Sequence, residues 1–97
     1  MRHFFRTQLT PVAILEIADV FFPALPLERS AHTSRTRTYS GALGNLQLSV
    51  KMEGGHYAFV EVHTDQIGES RLDRNTKRFF VELHRTAHPS HKLRAAY

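Results

Sequence analysis

The sequence contains no cysteine. That excludes a disulfide scaffold, a thiolate metal site and a cysteine nucleophile. No apolar run approaches the ~18 residues that a membrane-crossing helix needs. The opening residues, Met1-Arg2-His3-Phe4-Phe5-Arg6-Thr7, lack the apolar stretch and cleavage site of a secretory signal, so a cytoplasmic location is expected. Internal repeats and low-complexity segments are lacking. No Gly-Lys-Ser/Thr follows the glycines of Ser40-Gly41-Ala42-Leu43-Gly44-Asn45, which argues against a phosphate loop. No serine stands in a nucleophile elbow, and no His-Glu-x-x-His signature occurs.

What is present suits one small globular domain spanning 1–97, with 89–97 as a tail or a short extra strand. Apolar residues make up 41% of the chain and charged residues 23%, unlike a disordered segment. The net charge is +4, and it is unevenly spread. Residues 41–70 set Lys51 against Glu53, Glu61, Asp65 and Glu69. Residues 71–97 carry Arg71, Arg74, Lys77, Arg78, Arg85, Lys92 and Arg94 against only Asp73 and Glu82. A basic C-terminal quarter either attracts an anionic partner or is a solvated helix face.

Residues 2–8 read as a strand. Thr10-Pro11 opens a helix over about 11–22, with a hydroxyl cap and proline in the first turn. Val12, Ile14, Leu15, Ile17, Val20, Phe21 and Phe22 wrap most of that helix, so burial on more than one side is expected. Residues 27–31 are a linker or an edge. Thr-rich 33–39 reads as a strand. Segment 46–52 alternates, with Leu46, Leu48, Val50 and Met52 on one side and Gln47, Ser49 and Lys51 on the other. Gly54-Gly55 turns the chain into a return strand, 56–64. Ser70 and Asp73 resemble a capping box, opening a helix over 71–87 whose stripe is Leu72, Thr76, Phe79, Phe80, Leu83 and Ala87. Pro89 stops it.

The fold class is therefore α+β: a β-α-β-β-β-α antiparallel sheet with two helices packed on one face. The other face is open. Parity gives it Tyr57, Phe59, Glu61 and His63 from one strand, and Gln47, Ser49 and Lys51 from another. Arg35, Arg37 and Tyr39 are expected there too, because burying two arginines on the aliphatic side is costly. The first strand adds Phe4, Arg6 and Gln8 if His3 and Phe5 face inward. Aromatics interleaved with cations suit single-stranded nucleic acid, whose bases stack on rings while cations meet phosphates. Tyr57 and Phe59 would equally suit a dimer interface or a ligand pocket.

Gly55-His56-Tyr57-Ala58-Phe59-Val60-Glu61-Val62 resembles the ribonucleoprotein octamer of RNA-recognition motifs. Tyr57, Ala58, Phe59 and Val60 match its pattern, while Gly55, His56 and Val62 replace the basic residue, the glycine and the last aromatic. The resemblance implies that Tyr57 and Phe59 stack on bases. Phe4-Phe5-Arg6-Thr7-Gln8-Leu9 is similar to the companion hexamer. The element order also resembles a minimal helix-grip (START-like) domain, which implies an enclosed apolar ligand, or a TATA-binding-protein-like half, which implies a sheet gripping DNA. Residues 10–87 resemble the layout of double-stranded-RNA-binding domains, without their lysine-rich helix start.

His84, His88 and His91 are spaced for a shared metal, but Pro89 interrupts the helix beside them, and ordinary surface histidines fit as well. Glu61 and His63 could form an acid–base pair beside Arg35 or Arg37, which makes a small histidine-dependent enzyme a third reading, but no second carboxylate is placed opposite Glu61. The expected function is a non-catalytic module for single-stranded nucleic acid. Tyr57 and Phe59 stack, Arg35, Arg37 and Lys51 meet phosphates, and Arg71, Arg74, Lys77 and Arg78 form a second anion-binding candidate. No cofactor or metal is expected. The alternative is a structural or ligand-holding module, acting as a homodimer or as the small subunit of a larger assembly.

Overall fold

The computed structural model describes residues 1–89. The expected tail or strand at 91–97 lies outside them. The elements run β1 (Arg2–Thr7), α1 (Pro11–Phe21), β2 (Glu28–His32), β3 (Thr36–Gly41), β4 (Gly44–Glu53), β5 (Tyr57–Thr64) and α2 (Arg71–Ala87). The five strands form one antiparallel sheet in the order β1-β5-β4-β3-β2. Both helices pack against one side of it, as the α+β reading requires. Residues 27–31 contribute most of an edge strand, β2, whose ladder with β3 is offset between Arg29 and Ala31. Such an irregularity discourages another strand from pairing there.

Local chemistry explains the element ends. Thr10 caps α1 by accepting a hydrogen bond from the Ala13 amide at 3.2 Å. Ser70 caps α2 in the same way, accepting from the Asp73 amide at 3.0 Å. Between β3 and β4 the chain turns through only Ala42 and Leu43, and Gly44 takes φ +128° there. A side chain at Gly44 would also strike Asp65 and Gln66, so glycine is needed twice over. The β4–β5 hairpin spans Gly54, Gly55 and His56, one residue longer than the two-glycine turn expected.

The core lies between sheet and helices. Phe22 meets Tyr39 at 5.0 Å and Phe79 at 4.9 Å between ring centroids, and all three are fully buried. Phe5 stacks on Phe80 at 5.1 Å. Leu46, Leu48 and Val50 of β4, and Ala58, Val60 and Val62 of β5, supply the sheet's aliphatic side. Contrary to the expectation for α1, its outer surface is uncovered. Val12 is 66% and Val20 75% exposed.

Two carboxylates secure this core. On α1, Asp19 accepts the Tyr39 hydroxyl at 2.7 Å, both its oxygens lie 3.0 Å from Arg37 Nε, and Arg29 Nη1 donates to it at 3.1 Å. Burial and the Asp19 carboxylate push the Tyr39 hydroxyl far above its ordinary range, so it stays a neutral donor. On α2, buried Asp73 accepts from His3 Nε2 at 2.7 Å, Thr64 Oγ1 at 2.8 Å and Ser70 Oγ at 2.6 Å. Burial opposes its ionisation. The donors from His3, Ser70 and Thr64 outweigh that and hold the carboxyl below its ordinary value.

Two tests follow from these clusters. Asp19→Ala should cost about 2 kcal/mol, because it strands a buried hydroxyl and a largely buried guanidinium, whereas Tyr39→Phe should cost about 1 kcal/mol. Urea midpoints measure both, and equal costs would contradict the shared-acceptor role. Asp73 is lowered in the folded state relative to about 3.9 unfolded. Its contribution is therefore complete above about pH 4 and fades as pH falls through the folded value. Asp73→Asn should lose stability at pH 7 and show a shallower further loss as pH falls below about 4. An acid limb as steep as the parent's would assign that loss to another group.

Candidate nucleic-acid interface

The uncovered side of the sheet is built by strand alternation. On β5, Ala58, Val60, Val62 and Thr64 are buried, which sends Tyr57, Phe59, Glu61 and His63 outward. On β4, the same rule presents Gln47, Ser49 and Lys51. On β1, His3 and Thr7 are buried, and Arg2, Phe4 and Arg6 are exposed. The pairing of Phe4 with Glu61, and of Arg6 and Lys51 with Phe59, brings these three strands together.

At the centre, Phe4 and Phe59 meet with centroids 5.4 Å apart. Phe4 is 50% and Tyr57 46% exposed, so ring surface is available. Three cations surround the pair. Arg6 lies 4.9 Å and Lys51 5.3 Å from the Phe59 centroid, and Arg2 lies 5.5 Å from that of Phe4. Such cation–ring contacts hold long side chains over an aromatic face at modest cost. Carboxylates interleave with them. Arg6 Nε donates to Glu53 at 2.8 Å, and Arg2 Nη2 to Glu61 at 3.0 Å. His63 Nε2 also contacts Glu61. Hydrogen bonds from His63 and then Arg2 hold the Glu61 carboxyl below its ordinary range. Lys51 makes no ion pair among the described residues. Beside His63, the face dips into a hollow of about 390 Å³ bordered by Thr38, Asn45 and Gln47.

The structure corrects the placement of the β3 residues. Arg37 and Tyr39 pair with Leu48 and Leu46, so they face the helices rather than the open side. Asp19 is the reason. It offsets the cost of burying Arg37, whose Nη1 also donates to the carbonyls of Thr33 at 2.7 Å and Thr36 at 2.8 Å. Arg35 lies in the exposed β2–β3 turn, and its carbonyl accepts from the amide of inward-facing Val50 at 2.9 Å. From β3 the open face keeps Thr36, Thr38 and Ser40, which pair with Ser49, Gln47 and Asn45. Arg71, Arg74, Lys77 and Arg78 lie on α2, in the helical layer.

Two cations at the ring pair were not among the expected site residues: Arg2 and Arg6. Nor was Phe4, although the alternation of β1 had placed Phe4 and Arg6 on the open side. The Glu61–His63 pair does form, with Arg2 donating to both and with Ser49 and Gln47 opposite them on β4, but among the described residues no hydroxyl is hydrogen-bonded to either. His84 and His88 have ring centroids 5.0 Å apart, and His91 lies outside the described residues. Among the described residues, no group of three or more His, Asp or Glu side chains is placed to hold a metal ion. No helix there is long and apolar enough to cross a membrane. The sequence matches no protein-family model and no curated protein.

Proposed function

We propose that this chain is a non-catalytic module that binds single-stranded nucleic acid on its open sheet face. The observation that carries the reading is the Phe4–Phe59 pair, an exposed ring and a half-buried one on adjacent strands, ringed by Arg2, Arg6 and Lys51. The segments resembling the ribonucleoprotein octamer and its companion hexamer are β5 and β1, which are neighbours in the sheet. A base stacking on Phe59 displaces the cation above it, and that cation is then free for the adjoining phosphate. Tyr57 offers a further ring. Glu53 and Glu61 offset two of the three cations, so stacking rather than net charge supplies most of the affinity. An RNA-recognition motif has one strand between its first helix and the octamer strand, whereas three stand there in this chain.

Arg37 drops out of this interface, because it is committed to Asp19, and Arg35 stands in the exposed β2–β3 turn, off the three strands that carry the rings. The cytoplasm is the compartment in which we place this activity. A second reading, a homodimer or small subunit, draws on the exposed Val12 and Val20 and on a groove of about 430 Å³ lined by Ile17, Val20 and Phe21 between the helices.

Fluorescence anisotropy with labelled single-stranded RNA, single-stranded DNA and duplex tests the proposal at two salt concentrations. Phe59→Ala should weaken single-strand binding about 10-fold or more, from the loss of ~1–3 kcal/mol of stacking per base. With about three phosphate contacts, the logarithmic salt slope should be near −2. Phe59 faces away from the core, so circular dichroism should be unchanged. Equal affinity in Phe59→Ala, or binding to duplex as tight as to single strands, would contradict the proposal. A chain that binds no strand and sediments as a dimer dispersed by Val20→Lys would support the second reading.

A further inference from the structure

α2 carries a second concentration of positive charge, and its electrostatics differ from those of the open face. Arg71, Arg74 and Arg78 are spaced three and four residues apart, so they share one side of the helix. With Asn75 they line a concave site of about 350 Å³. Its far wall is Ala24 and Leu25, in the loop after α1. Hydrogen bonds from the Leu25 and Leu27 amides to the Phe22 carbonyl, at 3.0 and 3.1 Å, hold that loop.

None of the three arginines makes an ion pair among the described residues. The nearby carboxylates are engaged elsewhere. Asp73 is buried against His3, Glu69 faces Lys77 at 3.5 Å, and Glu82 faces Arg85 at 3.8 Å. Three like charges on one helical face repel one another, and no carboxylate in the site relieves them. Guanidinium groups present paired N–H donors that match phosphate oxygens.

We infer that the pocket between Arg71, Arg74, Arg78 and the Ala24–Leu25 loop binds a terminal phosphate group, the dianion of a small phosphorylated ligand. Three unbalanced cations favour a dianion over the single charge of a backbone phosphodiester. The apolar loop closes one side of the site, which suits a compact ligand better than a continuing strand. The site lies in the helical layer, away from Phe4 and Phe59. It does not depend on the nucleic-acid reading.

Calorimetric titration of the full chain with inorganic phosphate, at constant ionic strength against a chloride control, tests this. Phosphate should bind saturably, and Arg74→Gln with Arg78→Gln should weaken it at least tenfold. These side chains are exposed, so the fold should survive, as circular dichroism would show. Phe59→Ala should leave phosphate binding unchanged, which separates this site from the open face. Heat no greater than that of the chloride control would overturn the inference, as would undiminished binding in the double variant. Dimethyl phosphate competing as well as inorganic phosphate would overturn the assignment to a terminal phosphate.

Discussion

Asp19 decides which way β3 faces. Its carboxylate takes the Tyr39 hydroxyl and the Arg37 guanidinium together, and both then turn toward the helices. The consequences reach both sides of the sheet. Inside, Tyr39 joins Phe22 and Phe79 to close the aromatic core. Outside, Arg37 and Tyr39 are withdrawn, and β3 presents the hydroxyl side chains of Thr36, Thr38 and Ser40 instead. The candidate interface therefore narrows to β1, β5 and β4.

The molecule keeps two kinds of positive charge on two sides. On the open face, Arg2 and Arg6 are answered by Glu61 and Glu53 and rest over aromatic rings. That arrangement is nearly neutral and offers stacking surface, with charge as a secondary attraction. On α2, three arginines stand without carboxylate partners around a concavity. The first arrangement selects for flat rings and the second for a compact anion. One straight strand does not reach both, because the sheet and α2 lie between them.

Much of this was legible from residue pattern. β4 and β5 separate aliphatic side chains from polar or aromatic ones at alternate positions, so their faces could be assigned directly. Buried His3 and exposed Phe4 follow the same alternation on β1. Ser70 and Asp73 marked the start of α2. β3 was not legible in this way. Thr36-Arg37-Thr38-Tyr39 alternates two polar sets, and the residue that chooses between them is on α1, 18 positions before Arg37 and 20 before Tyr39. The His3–Asp73 contact spans 70 positions, and the pattern showed Asp73 only as a cap. β2 is exposed at every position, so no apolar alternation announced it as a strand.

The central claim is that the open face, through Phe4 and Phe59, is where a single strand lies. Amide shift mapping of isotopically labelled protein during titration with a single-stranded RNA tests it most directly. The amides of Phe4, Arg6, Lys51, Tyr57 and Phe59 are expected to shift together while the exposed side of α1 stays still. Shifts confined to α2 or to the Val12–Val20 surface, or no shifts at all, would contradict it.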